Sequence, residues 1–330
     1  MIQLFRTNQP FVFLLLLLYA AGLRAGLLLF PGVVAPGDDS FLGPFILEVI
    51  RINEIPAFYL QIADVVLIYL QAIFLNLTLT GNNVFERNTY VPAFIFITLT
   101  GLFGSWQAAD LQTIAQLFLM LSIYNLFTLT GKEISRQNIF YTSLFLSIGS
   151  LFYFPVTLFL LIILVVLVVR SYSFLEVLLL LVGFTLPYYF IGIGFYYQDA
   201  LPQYFRFLKH MVLFNPNLFI NMDYVELGMV VYLLLLIVWG YFYIRVDTNF
   251  KIVKQRRLVF ILLGYTALTL LVAPYVSRNK LIYLQMLCVP ATVFISKIFD
   301  RERIGWLNQV LFYLLFLGAI FFELYYLRIV

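Results

Sequence analysis

Asp38 and Asp39 follow Pro36 and Gly37 in an otherwise apolar chain. Two adjacent carboxylates in a turn support two kinds of chemistry. Through their oxygens they hold a hard divalent cation, magnesium or manganese; without a metal, one of them is a general base for an attacking hydroxyl. Pro-Gly-Asp-Asp is equally ordinary turn chemistry, in which case the pair is only a solvated bend. A second group is basic: Arg206, Lys209 and His210 are interleaved with Tyr204, Phe205, Phe207 and Leu208. Such cations bind a phosphate or diphosphate by charge-assisted hydrogen bonds, and Arg278 and Lys280 can join them from a later loop. The plainer reading is an amphipathic segment resting on anionic lipid. Arg24 and Asp64 form a third pair, each set inside a long apolar run. An ionisable residue at such a depth is a functional candidate; the plainer readings are a structural clamp or a snorkelling arginine.

The elements that must position these groups are membrane helices. Apolar residues make up 63% of the 330, charged residues 11%, and the mean hydropathy is +0.99. A soluble domain is about 45–50% apolar and about 25% charged, so the expected fold is an all-α polytopic transmembrane bundle, a single integral membrane domain. A net charge of +4 from 20 Lys+Arg against 16 Asp+Glu fits the cytoplasmic bias of inner-membrane proteins and gives no nucleic-acid footprint. One cysteine and one histidine exclude an internal disulfide and the usual zinc constellations. Cys288 lies in an apolar run and reads as a packing residue. No phosphate-binding glycine loop, Ser/His/Asp set or HExxH motif is present. Arg6 precedes the apolar run at 11–18, but no clean cleavage site follows and Arg24 interrupts the tail. That segment is expected to be a retained first span.

A span needs about 20 mostly apolar residues, which places helices near 10–30, 57–80, 89–104, 111–130, 139–151, 154–169, 175–197, 227–246, 258–275, 281–298 and 307–327. The fifth and sixth could instead be one long kinked helix. Charge arbitrates: with the N-terminus inside and eleven spans, thirteen of the 20 Lys+Arg face inward, four of them in the short loop at 251–257. Consecutive helices are usually neighbours. Arg24 and Asp64 would each lie roughly 10 Å below the outer surface, close enough to pair. Three segments then face outward. The first, 31–56, carries Asp38 and Asp39 and an amphipathic stretch at 41–55 that suits a short interfacial helix. The second is a loop at 198–226 with the basic group, and the third is the turn near Arg278 and Lys280. NLTLTGNNVFERN at 76–88 and NLFTLTGKEISRQN at 125–138 share Thr-Gly at an offset of 50, which suggests duplicated helical hairpins within 57–151.

The opening FRTNQP, Arg170 followed by SYSFLE, and the VGFTLPYYF helix resemble a family of Bacteroidetes polytopic inner-membrane proteins that carries no established activity. The architecture of the first 80 residues, a span followed by an acidic outer loop with an interfacial helix, looks like the GT-C membrane glycosyltransferases. That resemblance implies Asp38 or Asp39 as the carboxylate that binds metal or activates the acceptor. It also implies Arg206, Lys209, Arg278 and Lys280 as ligands of a polyprenyl-phosphate sugar donor. The resemblance is one of fold, from which function does not follow.

Three functions remain in view. A multi-pass protein of a bacterial inner membrane could transfer a lipid-linked sugar on the periplasmic face. It could be an accessory or scaffold subunit of an envelope or secretion complex, with protein partners. It could be a transporter using the Arg24–Asp64 pair, for which Gly183 to Pro187 and Gly192 to Gly194 hint at a broken helix.

Overall fold

The computed structural model describes residues 5–6, 9, 11–29, 55–85, 88–103, 110–129, 135–169, 173–212, 224–246, 253–273, 283–300 and 305–329. Every regular element among them is helical, as a bilayer requires of a chain that must satisfy its backbone internally. In order these are α1 (Phe11–Gly22), α2 (Ala25–Leu29), α3 (Ala57–Gly81), α4 (Val91–Thr100), α5 (Leu111–Thr128), α6 (Arg136–Phe152), a 3-10 turn (Phe154–Phe159) leading into α7 (Leu160–Val169), α8 (Phe174–Tyr197), α9 (Leu201–Val212), α10 (Tyr224–Val246), α11 (Val253–Val272), a 3-10 turn (Gln285–Leu287) leading into α12 (Cys288–Phe299), and α13 (Trp306–Ile329). Prolines punctuate the starts: Pro56 precedes α3, and Pro92 and Pro155 stand in first turns, where a missing N–H costs nothing.

Among the described residues six helices are long and apolar enough to cross a membrane: α3, α5, α8, α10, α11 and α13. The chain is a multi-pass membrane protein. Phe11–Gly22, Val91–Thr100, Phe154–Val169 and Gln285–Phe299 are shorter apolar helices, and α6 has 17 residues.

Side-chain contacts fix the sense of each helix. α5 and α6 are antiparallel, since Ser122 Oγ donates to Thr142 O at 2.8 Å and Asn138 Nδ2 to Thr128 Oγ1 at 2.7 Å. α6 and α8 are parallel: Arg136 pairs with Glu176, Ser147 Oγ donates to Phe184 O at 2.6 Å, and Ser150 meets Tyr188 at 2.7 Å. Their backbones touch at Gly183, where a Cβ would fall on Ser143 Oγ and lie 2.8 Å from Phe140 O. Because α6 and α8 run the same way, the segment between them must return. The stretches 136–152 and 154–169 are therefore two helices of opposite sense, not one kinked helix, and extended Tyr153 (φ −147, ψ 103) makes the reversal. α1 and α4 are parallel, and α10 and α13 antiparallel.

The bundle thus has two distinct ends. Arg6 donates to Phe299 O, Lys297 lies 5.2 Å from the Phe85 ring, and Gln255 donates to Asn83 O at 2.7 Å. With Arg136, Arg245, Arg256 and Arg257 these form a basic end. Arg24, Asp64, Gln116, Gln285 and Glu323 gather toward the other, polar end. At the centre every residue of α4 and α12 is buried. Phe94 of α4 stacks within 4.3 Å of Phe5 and 4.8 Å of Tyr19.

Four expectations are corrected. Residues 10–30 are not one helix: the chain breaks at Leu23 and Arg24, between α1 and α2. The helix expected over 89–104 ends at Thr100. The loop expected at 198–226 contains α9. The glycines and Pro187 do not break α8, which runs unbroken from Phe174 to Tyr197; beside Pro187 the Phe184 carbonyl takes its donor from Ser147, the kind of side-chain rescue that lets proline stay inside a membrane helix.

Candidate functional site: a buried ion pair among glutamines

Arg24 occupies the break between α1 and α2, and the break explains its position. α1 and α4 run parallel and end at the same level, at Gly22 and Thr100. The last carbonyls of a helix have no partner within it, and their dipoles favour a cation. Arg24 Nη2 donates to Thr100 O at 3.3 Å, so the guanidinium caps α4. Its Nε lies 3.5 Å from Asp64 Oδ2, with the two side chains 0% and 3% exposed.

Asp64 sits in the second turn of α3, facing the start of α5. Asp110 precedes α5 and is close enough for its charge to act on Asp64. On the far side of Arg24, Glu323 of α13 accepts the Gly26 N–H at 3.0 Å, at the start of α2, and its charge reaches Arg24. The guanidinium therefore stands between two carboxylates drawn from α3 and α13, and Asp110 at the α5 start acts on the first of them.

Glutamines surround the pair. Gln61 and Gln71 on α3, Gln112 and Gln116 on α5, and Gln285 before α12 are all buried. Gln71 Nε2 donates to Thr113 O at 2.6 Å, and Gln116 Nε2 to Gln285 O at 3.4 Å. Each amide offers both donors and an acceptor, and part of that capacity is left over. Gln61 Oε1, Gln71 Oε1, Gln116 Oε1, Gln285 Nε2 and Arg24 Nη1 make no hydrogen bond among the described residues. Buried polar atoms of that kind are costly, and each calls for a partner.

Of the residues singled out from sequence, the structure brings Arg24 and Asp64 together. Asp38, Asp39, Arg278 and Lys280 lie outside the described residues. Arg206 and Lys209 are exposed on α9, one turn apart, and His210 follows in the same helix. α9 is tied to the polar end of α8 by Tyr204, whose hydroxyl donates to Tyr188 O at 3.1 Å; burial pushes that phenol above its ordinary pKa. Among the described residues no cluster of three or more His, Cys, Asp or Glu could hold a metal.

Neither the glutamines nor Glu323 is singled out by the sequence reading, which takes Arg24 and Asp64 as the ionisable residues within apolar runs. Their signal is in the sequence: within apolar runs, Gln61 and Gln71 flank Asp64 in α3, Gln112 and Gln116 fall in the first two turns of α5, and Gln285 opens the turn before α12. Comparison of the chain with protein-family models, with curated proteins and with solved structures finds no match.

Proposed function

We propose that the chain crosses a bacterial inner membrane eleven times, with its basic end in the cytoplasm. At its periplasmic end it works as a GT-C-like transferase of a sugar from a polyprenyl-phosphate carrier. Alternating helix sense and the clustering of Arg and Lys at one end support the crossings and the orientation. The observation that carries the transferase reading is convergence at the polar end. α2 ends at Leu29 and α3 begins at Ala57, so the two helix ends between which Asp38 and Asp39 fall in the sequence lie at the end of the bundle that holds Arg24, Asp64 and the buried glutamine amides.

In this reading the amides of Gln61, Gln71, Gln116 and Gln285 take sugar hydroxyls. Arg206, Lys209 and His210, with Arg278 and Lys280, hold the phosphate. Asp38 or Asp39 takes the proton of the acceptor hydroxyl, directly or while holding magnesium or manganese. The acceptor oxygen bonds to the anomeric carbon, and the bond from that carbon to the phosphate oxygen breaks. Polyprenyl phosphate, or diphosphate, leaves with the electron pair. The test is turnover by the purified chain with a panel of polyprenyl-phosphate and polyprenyl-diphosphate sugars and an envelope extract as acceptor. Release of the lipid phosphate should disappear in the folded Asp38→Asn/Asp39→Asn variant. Full activity in that variant, or no release with any donor, overturns the proposal.

The broken helix at Arg24 favours a second reading, transport of a polar solute past the Arg24–Asp64 pair. It predicts counterflow in proteoliposomes that is lost on Asp64→Asn; unchanged flux in that variant removes it.

A further inference from the structure

The face where α6 and α8 meet carries a feature independent of the polar end. Near the basic end the two helices enclose an open groove of about 520 Å³, lined by Arg136, Gln137, Phe140, Tyr141, Leu175 and Leu178. The size lies within the range of small-molecule sites. Tyr141, Leu175 and Leu178 are 44%, 54% and 45% exposed on the outside of the bundle, so the groove opens toward lipid rather than toward the core. Among the described lining residues the charged and amide groups, Arg136 and Gln137, stand at the basic end, in the first turn of α6.

Arg136 is held there by Glu176, 3.5 Å from its Nε, but the two partners differ: the arginine side chain is 64% exposed and the glutamate 9%. Glu176 also accepts from Ser173 Oγ at the start of α8. The carboxylate is thus satisfied and buried, while the terminal guanidinium nitrogens of Arg136 make no other bond among the described residues. The parallel pair also begins both its helices at this level, so the two dipoles add to the arginine's attraction for an anion. Among the described residues, an apolar channel facing the bilayer with the outward cation Arg136 at its mouth matches an anionic, chain-bearing molecule.

We infer that the α6–α8 groove is a site for an anionic phospholipid, with an acyl chain along Phe140, Tyr141, Leu175 and Leu178 and the headgroup phosphate on Arg136. A zwitterionic lipid would offer the same chain but a weaker claim on the arginine. A free phosphate would have the anion without the chain. The site is at the opposite end of the molecule from Arg24 and does not depend on the proposed transferase activity.

The test is native mass spectrometry of the full-length protein in detergent, delipidated and then titrated with phosphatidylglycerol or with phosphatidylethanolamine of the same chains. The expected result is one retained phosphatidylglycerol, preferred about fivefold, the effect of one arginine near an anionic headgroup. Arg136→Ala should abolish the preference and Arg136→Lys should keep most of it. Leu178→Trp, which fills the groove, should lower the binding of both lipids. Glu176→Gln removes a competing carboxylate and should tighten phosphatidylglycerol. Arg245→Ala, at the same end but off the groove, should change nothing, and glycerol phosphate should not compete. Equal retention by Arg136→Ala, competition by glycerol phosphate, or a second protein chain in place of lipid would each overturn the inference.

Discussion

Two ion pairs in this molecule have the same separation and opposite surroundings. Arg24–Asp64 and Arg136–Glu176 are each 3.5 Å from Nε to the carboxylate oxygen. The first pair is fully enclosed at the polar end, where both partners have lost water and the remaining arginine donors turn to Thr100 and to nothing else described. The second leaves its arginine largely in the open. Distance alone therefore says little about what a pair contributes. Enclosure makes each partner of the first pair indispensable to the other, whereas exposure leaves the second pair nearly neutral for stability and frees its cation for an external anion.

The largest effect is expected from Arg24→Leu, which strands Asp64 in the interior. Stability measured by chemical or thermal unfolding in detergent should fall by about 3–5 kcal/mol. Arg24→Leu combined with Asp64→Leu should recover most of that loss, because the pair as a whole can be replaced by apolar packing. If the double variant is stable but has lost turnover or flux, the pair acts in function; if stability is not recovered, the enclosure argument fails. Gly183→Ala comes next, at about 1–3 kcal/mol, since the new Cβ has nowhere to go between α6 and α8. Arg136→Ala should change stability by less than about 1 kcal/mol. A loss at Arg136 larger than that at Gly183 would mean that charge rather than close approach joins those two helices, and the contrast would collapse.

The helical segments were legible in the sequence because apolar runs of span length can hardly be anything else in a chain this hydrophobic. Depth along a helix is also a one-dimensional quantity, so Arg24 and Asp64 could be placed at one level from residue counts. The break at Arg24 could not: Leu23, Arg24 and Ala25 are ordinary helix formers, and the interruption exists because the guanidinium reaches for the end of α4, which lies far along the chain. The same holds for Gln116 meeting Gln285 and for Glu323 meeting Gly26. These contacts depend on which helices become neighbours, and periodicity carries no record of that. Hydropathy alone leaves open whether 139–169 holds one helix or two; charge favours two, and the parallel contacts of Ser147 and Ser150 with α8 agree.

The enclosure of α4 has a consequence for how the protein is made. Ten residues reach about half-way across a bilayer, and all ten are enclosed by protein in the finished bundle. When α4 leaves the ribosome, α12 and α13, which pack on it, the latter through Phe312 against Phe94, have not been synthesised. Until they arrive α4 lacks the neighbours that enclose it, and its apolar side chains meet lipid or earlier helices instead. Assembly is therefore completed by late helices sealing an early one, and a chain interrupted before α12 would present an unsealed centre to the membrane's proteases.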